Sequence, residues 1–365
     1  MFHQWQRRLV LSACMTLASC PLWAAELLPQ SDGVVVTADY RTPEFTASST
    51  GPVRWQAEIQ RIGAQYLRLR LTDIRGSSDS TAVLKLRNRN GALVGEYRAS
   101  ELLSKGTLWS PVVPGDYVLV SLHSDEPPIG FGLSIDRIAY QALAGAPRST
   151  VGSDEKEPIA NYTNDPIIAK VEKSVAKLSF IDEGRLYTCT GFLVEPGYLM
   201  TNQHCVAKQA VCDTTSVVFG YQYGTDGILN FGEQFGCIQV VKEDFGLDYA
   251  LLQLTGDPAS AWGTLKLDYS DPAPQGPIFV VQHPSGQPKM ISKLNCLARA
   301  IPVDGRAAET DFTHSCDTVG GSSGAPILNA DGQVIGLHHY GFNEGGAWTE
   351  NRGVRMLKIG ESIGQ

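Results

Sequence analysis

The sequence has no Cys-x-x-Cys pair, which argues against zinc sites of the ribbon or finger type. It also lacks an apolar run long enough to cross a bilayer as a helix, since "LVLSACMTL" near the N-terminus is too short. Basic residues are not in excess: 30 Lys and Arg stand against 38 Asp and Glu, a formal net charge of −8, so a nucleic-acid partner has no basic footprint. There is no internal repeat, and no long amphipathic helical pattern precedes the last few residues. Cysteine is missing altogether between about residues 30 and 143, although the whole chain carries 8.

What is present fits a folded chain of two domains, with 365 residues, 43% of them hydrophobic and 19% charged. Residues 1–25 read as an export signal: Arg7 and Arg8, a short apolar core, then the small residues of "PLWAA". Cleavage near Ala24 or Ala25 makes the product secreted or periplasmic. The alternative is "LASC" at Leu17 to Cys20, which looks like a bacterial lipobox; it would lipidate Cys20 and anchor the protein to the envelope membrane. Outside this leader, Cys189, Cys205, Cys212, Cys237, Cys296 and Cys316 form an even set in an exported chain, which points to disulfides, although spacing alone cannot choose the pairing.

Residues 26–146 show the period-2 pattern of half-buried strands in "YLRLRL", "VLKLRNRNG", "DYVLVSL" and "GFGLSI", separated by Asn90-Gly91 and Gly115-Asp116 turns. This predicts an antiparallel β-sandwich of the jelly-roll kind, with no catalytic constellation. A glycan or protein is the candidate ligand for it; Trp55, Trp109 and Tyr117 are candidates to line such a site, although aromatic residues in a β domain more often serve the core. Residues 147–166, rich in Pro, Gly, Ser and charge, read as a linker. Residues 167–365 return to short apolar strands broken by turns, the pattern of an all-β barrel or sandwich.

Three segments of this second domain carry chemistry. In "CDTVGGSSGAPIL" a serine nucleophile needs a base, and the base needs an orienting carboxylate. His204 ends an apolar strand in "LMTNQHC", and Asp248 enters an apolar strand in "LDYALLQL". "GGSSGA" lacks the last glycine of the G-x-S-x-G elbow, which disfavours an α/β-hydrolase.

"CTGFLVEPGYLMTNQHC", "LDYALL" and "GGSSGAP", in that order, resemble the signature segments of chymotrypsin-like (trypsin-superfamily) serine endopeptidases, with a character close to bacterial exported members related to the glutamyl endopeptidases. The resemblance covers residues from about 165 to 360. It implies a double six-stranded β-barrel, so the whole chain is all-β, with that barrel pair preceded by the sandwich. It also implies peptide-bond hydrolysis on protein or peptide substrates through an acyl-enzyme, with no cofactor and no metal. By residue, Ser323 would be the nucleophile, His204 the general base and Asp248 its orienter, and the Gly321 and Ser323 N–H groups would form the oxyanion hole. The family's histidine-loop disulfide implies Cys189–Cys205, while Cys212–Cys237 and Cys296–Cys316 rest on nearest-neighbour pairing.

The sequence departs from the animal trypsins at Ser322, where they carry an aspartate that captures a cleaved N-terminus. Activation by removal of the N-terminal domain is therefore not expected. Specificity signals conflict: Asp317, six residues before Ser323, sits where trypsin-like members receive Arg or Lys. His338 sits where glutamyl endopeptidases receive Glu. Facing one another, the two would neutralise; alternatively Asp317 anchors backbone amides. A second functional class stays open, a catalytically weak or inactive protease-like binding or adhesion protein.

Overall fold

A computed structural model describes residues 30–48, 51–141, 148–150, 152–344 and 347–365. The leader, with Cys14 and Cys20, lies outside the described residues.

The N-terminal region contributes β1 (Gln30–Arg41), β2 (Val53–Gln60), β3 (Tyr66–Arg75), β4 (Val83–Asn88), β5 (Leu93–Arg98), β6 (Leu108–Trp109), β7 (Val113–Pro114), β8 (Tyr117–His123) and β9 (Gly132–Gln141). One sheet runs β1-β9-β3-β6, with β7 also on β3, and the other runs β2-β8-β4-β5. Interleaving alternate strands between two sheets in this way is the jelly-roll order. The alternation in "YLRLRL" explains the packing. Leu67, Leu69 and Leu71 are fully buried in the core between the sheets with Leu84, Leu86, Val118, Val120 and Leu122. Tyr66 and Arg68 point to the opposite face and are buried there against the rest of the chain.

The C-terminal region contributes β10 (Arg148–Ser149), β11 (Glu157–Pro158), β12 (Val175–Asp182), β13 (Arg185–Val194), β14 (Tyr198–Thr201), β15 (Ser216–Tyr223), β16 (Leu229–Asp244) and β17 (Tyr249–Leu254). It continues with β18 (Phe279–Gln282), β19 (Met290–Ser292), β20 (Asp311–His314), β21 (Thr318–Val319), β22 (Pro326–Leu328), β23 (Val334–Glu344) and β24 (Ala347–Arg355), then the helix Met356–Ile363. Strands β12-β15-β16-β17-β14-β13 close on themselves through the β12–β13 ladder, which makes a six-stranded barrel. The second sheet runs β11-β19-β18-β22-β23-β24-β20, and the Ala298–His314 and Pro277–Leu297 bridges draw its ends together. The double barrel is the chymotrypsin-like architecture.

The two regions share a sheet. β1 pairs with β9 and, through Gln30 to Gly33, with Leu186 to Thr188 of β13, so the jelly roll extends the wall of the first barrel. Arg68 donates to the Ser110 and Ser179 carbonyls at 3.0 Å each. The Lys177 ammonium lies 4.2 Å from the Tyr66 ring centre and 5.0 Å from that of Tyr221. Gln234 and the Val112 backbone exchange two hydrogen bonds. The segment 147–166, expected to be a linker, supplies two short strands: β10 pairs with β21, and β11 pairs with β19. Polar composition misses such pairing because main-chain hydrogen bonds need no apolar side chain.

Candidate active site

The site lies between the barrels, on loops held by short strands. His204 follows β14 and Asp248 precedes β17, and the β14–β17 ladder brings their chain segments side by side. Main-chain bonds then lock the two loops: the Gln203 N–H and the Asn202 side-chain amide both donate to the Asp248 carbonyl, at 3.1 and 2.9 Å. Asp248 adopts φ +46, the left-handed region, which Asp tolerates better than most residues but which still costs on the order of 1 kcal/mol.

His204 Nδ1 is 2.9 Å from Asp248 Oδ2, and the His204 backbone N–H donates to Asp248 Oδ1 at 3.0 Å. The same carboxylate receives Arg306 Nη1 on Oδ1 at 3.2 Å and His339 Nδ1 on Oδ2 at 3.2 Å. Burial by itself would push the Asp248 carboxyl up. The attraction of His204 and the hydrogen bonds from His204 and His339 overturn this and hold it below the ordinary carboxylate range. His339 in turn sets Nε2 2.7 Å from Asp311 Oδ2.

The serine loop is shaped by its glycines. Gly321 has φ +94 and a Cβ there would stand 2.9 Å from both the His283 carbonyl oxygen and the Ser285 nitrogen. Gly324 has φ +85 and backs directly onto the Thr190 carbonyl, leaving no room for a side chain. Carbonyls along this loop are tied down: Gly320 to the Ser285 N–H at 2.6 Å, Gly321 to the Thr190 hydroxyl at 2.9 Å and Ser323 to the Thr190 N–H at 2.8 Å. The Gly321 and Ser323 N–H groups, in contrast, make no hydrogen bond among the described residues. Ser322, where an aspartate was missed, is fully buried, and its hydroxyl accepts the Val319 N–H at 3.1 Å, closing the turn locally. The Ser323 hydroxyl donates to the His339 carbonyl at 3.3 Å, with no bond to His204. Hydrogen bonds of this kind are often long or absent without substrate and tighten when it binds.

Residues 189–337 match the family described as trypsin-like peptidase domain. This region is a trypsin-like peptidase domain. Its relatives include the secreted RxLR effector protein 73 of Plasmopara viticola, 29% identical over 58% of this chain and 56% of that protein. The extracellular metalloprotease of Bacillus subtilis (strain 168) is 29% identical over 50% of this chain and 58% of its own. The chain thus spans just over half the length of these curated relatives. Among solved structures, a Glu endopeptidase in complex with MPD is 19% identical, covering 59% of this chain and all of that one, with a TM-score of 0.44.

Three disulfides brace the peptidase domain: Cys189–Cys205, Cys212–Cys237 and Cys296–Cys316. The sulfurs of Cys189 and Cys205 lie near the His204 ring, but bonded to each other they are not thiolate ligands for a metal. Asp317 is buried, and its Oδ2 accepts the Glu155 N–H at 2.8 Å, while the Glu155 carboxylate receives Asn295. His338 is buried with Nδ1 3.2 Å from His314 Nε2, and burial followed by the repulsion of His314 lowers its pKa well below the ordinary histidine value. His283, in "QHPSG", is buried and neutral for the same leading reason; its loop supplies the Ser285 N–H that holds the serine loop.

Asp311, Arg306 and His339 are not among the residues singled out above from the sequence. Little in the sequence marks Asp311: it opens the short strand "DFTH", whose four residues prove buried although only Phe312 is apolar. What hides it is that its partner lies 28 residues further on.

Proposed function

We propose that the protein is an exported serine endopeptidase in which Ser323 attacks the scissile carbonyl, His204 takes and returns the proton, and Asp248 holds the imidazole. The observation that carries this reading is the paired contact between His204 and Asp248, ring to Oδ2 and backbone to Oδ1, on a carboxylate with no solvent exposure. A carboxylate gripped this way fixes the tautomer that leaves Nε2 free to accept a proton. The uncommitted N–H groups of Gly321 and Ser323 are the oxyanion hole in this scheme. Three disulfides and the leader at residues 1–25 support export to an oxidising compartment.

The N-terminal jelly roll is read as a separate domain of residues 26–146 that rides with the enzyme rather than being removed, because it shares a sheet with the first barrel. Asp317 serves as an anchor for the segment at Glu155, so cleavage is not expected to favour Arg or Lys. A buried neutral His338 offers no cation for Glu. We therefore expect a preference for uncharged residues.

The test is labelling of the full chain by a fluorophosphonate, followed by cleavage-site profiling on a peptide library. Labelling at Ser323 that disappears in Ser323→Ala and His204→Ala, with cleavage after uncharged residues, is the expected result. A second reading, a binding protein without turnover, draws on the Ser323 hydroxyl resting on the His339 carbonyl. A folded wild-type chain that never labels and captures a ligand through residues 26–146 would favour that reading instead.

A further inference from the structure

The geometry points to His339 and Asp311 as positioning residues for this reaction: a buried, protonated imidazole that bridges two carboxylates and holds Asp248 in line with His204. The inference rests on the triad reading above, and it adds two residues which that reading does not use.

Three observations carry it. His339 is the extra residue of a β-bulge: its neighbours His338 and Tyr340 pair with Gly353 and Arg352, and His339 itself faces no partner across the ladder. A bulge re-aims one side chain, and bulges recur beside active sites for that reason. The ring so released lies between Asp248 Oδ2 at 3.2 Å and Asp311 Oδ2 at 2.7 Å, with side-chain exposure of 1% against 0% for Asp248 and Asp311. Finally, donors are needed on both sides. A neutral imidazole has one N–H and one lone pair, so two ionised carboxylates can both be satisfied only when both ring nitrogens carry protons. Asp311 is tied as well by the Thr310 hydroxyl at 2.9 Å.

The surroundings agree with the charge. Asp248 faces the ring from the loop before β17, Asp311 from β20, and His338 and Tyr340 lie beside it on β23, with the Tyr340 ring centre 4.1 Å away. His314 adds a neutral ring from β20; His204 meets the Asp248 oxygen that faces the ring, and Arg306 meets the other. Burial works against the charged ring, yet the attraction of Asp311 and the hydrogen bonds to Asp248 and Asp311 raise His339 to about 9. The link to the chemistry is direct, because His204 and His339 share one oxygen, Asp248 Oδ2, while the His339 carbonyl holds the Ser323 hydroxyl. Losing the His339 proton would strip a donor from Asp248 or leave Asp311 facing a lone pair.

The test compares full-length wild type, His339→Gln and Asp311→Asn by the pH dependence of kcat and KM, with fluorophosphonate labelling alongside. In the wild type, kcat should fall as pH rises through about 9. In Asp311→Asn that alkaline fall should move to lower pH, and in His339→Gln it should vanish while kcat drops by about 10- to 100-fold, the worth of a hydrogen bond to a charged group, at unchanged KM. Identical alkaline limbs in all three proteins would overturn the proposal. Should neither variant fold, nitrogen-15 histidine NMR of the wild type decides: one imidazole protonated on both nitrogens at pH 8 supports it, and none overturns it. A wild type that folds but never labels at Ser323 refutes the triad reading instead, so the two failures are distinguishable.

Discussion

The jelly roll and the peptidase domain bury opposite things. The core of the jelly roll is apolar throughout, drawn from alternating leucine, valine and isoleucine of two facing sheets. Its ion pairs, such as Arg70–Asp136 and Arg89–Asp116, sit toward the surface, where solvent screening leaves each worth little. Among the described residues its one fully buried charge is Arg68, and that side chain reaches out to the Ser179 carbonyl of the first barrel. The peptidase domain instead buries Asp248, Asp311, His339, His338, His314 and Lys289 between its barrels and loops. Interior charge is costly unless paired: Lys289 is paired with Glu172, while Asp248, Asp311 and His339 are paired with one another around the residues proposed to do chemistry, and His338 and His314 are buried neutral. The contrast teaches where to look for function in a chain built from one kind of element: both regions are antiparallel sheets, and only one keeps charged side chains away from water in numbers.

The largest break in this comparison should come from Asp248→Asn. Keeping the shape but losing the charge frees the His204 tautomer, and kcat should fall by about 10⁴-fold in peptide hydrolysis. The melting temperature should fall as well in calorimetry, because Arg306 and His339 lose the buried carboxylate they share. Leu69→Ala tests the other side: a cavity in the jelly-roll core should lower unfolding stability by roughly 2–5 kcal/mol in denaturant titration while kcat of the folded fraction stays unchanged. A comparable loss of kcat would show that the two regions are functionally coupled through β1.

The smallest effect concerns pH. His314 and His338 are neutral when folded because burial, aggravated by neighbouring histidines, lowers them, His314 to about 3, against 6.5 for an ordinary histidine. The unfolded chain therefore binds more protons below 6.5, and stability declines as pH falls from there, by about 1.4 kcal/mol for each such histidine one unit below. His339 has the opposite sign: its contribution is complete below 6.5 and disappears as pH rises through about 9. Sequential neighbours thus destabilise the fold at opposite ends of the pH scale. A His338→Phe chain should lose only part of the wild-type decline in melting temperature between about pH 6.5 and 5, the remainder belonging to His314; an undiminished decline would show that His338 carries none of the acid effect.

Much of the site was legible because it is local. Gly321 and Gly324 in "GGSSGA" set the register that singles out Ser323, and backbone conformations reserved for glycine explain why. His204 and Asp248 stand in short motifs at the ends of apolar strands, and strand ends are where loops carry function. The jelly roll was legible for another local reason, the period of two in "YLRLRL" and "DYVLVSL". Asp317 and His338 show the limit: the family resemblance makes both candidates for a specificity pocket, yet whether either presents a charge depends on Glu155 and His314, neither adjacent in sequence.

The two β regions, the cysteines available for bonding and the serine loop follow from local sequence, since periodicity, turn chemistry and glycine conformation act over a few residues. That β1 joins both regions in one sheet, and that a bulge swings His339 between Asp248 and Asp311, emerges only on folding. Ladder register and burial are long-range quantities. A carboxylate, an imidazole and a second carboxylate from positions 248, 339 and 311 become a single charged unit only after folding has excluded water from all three.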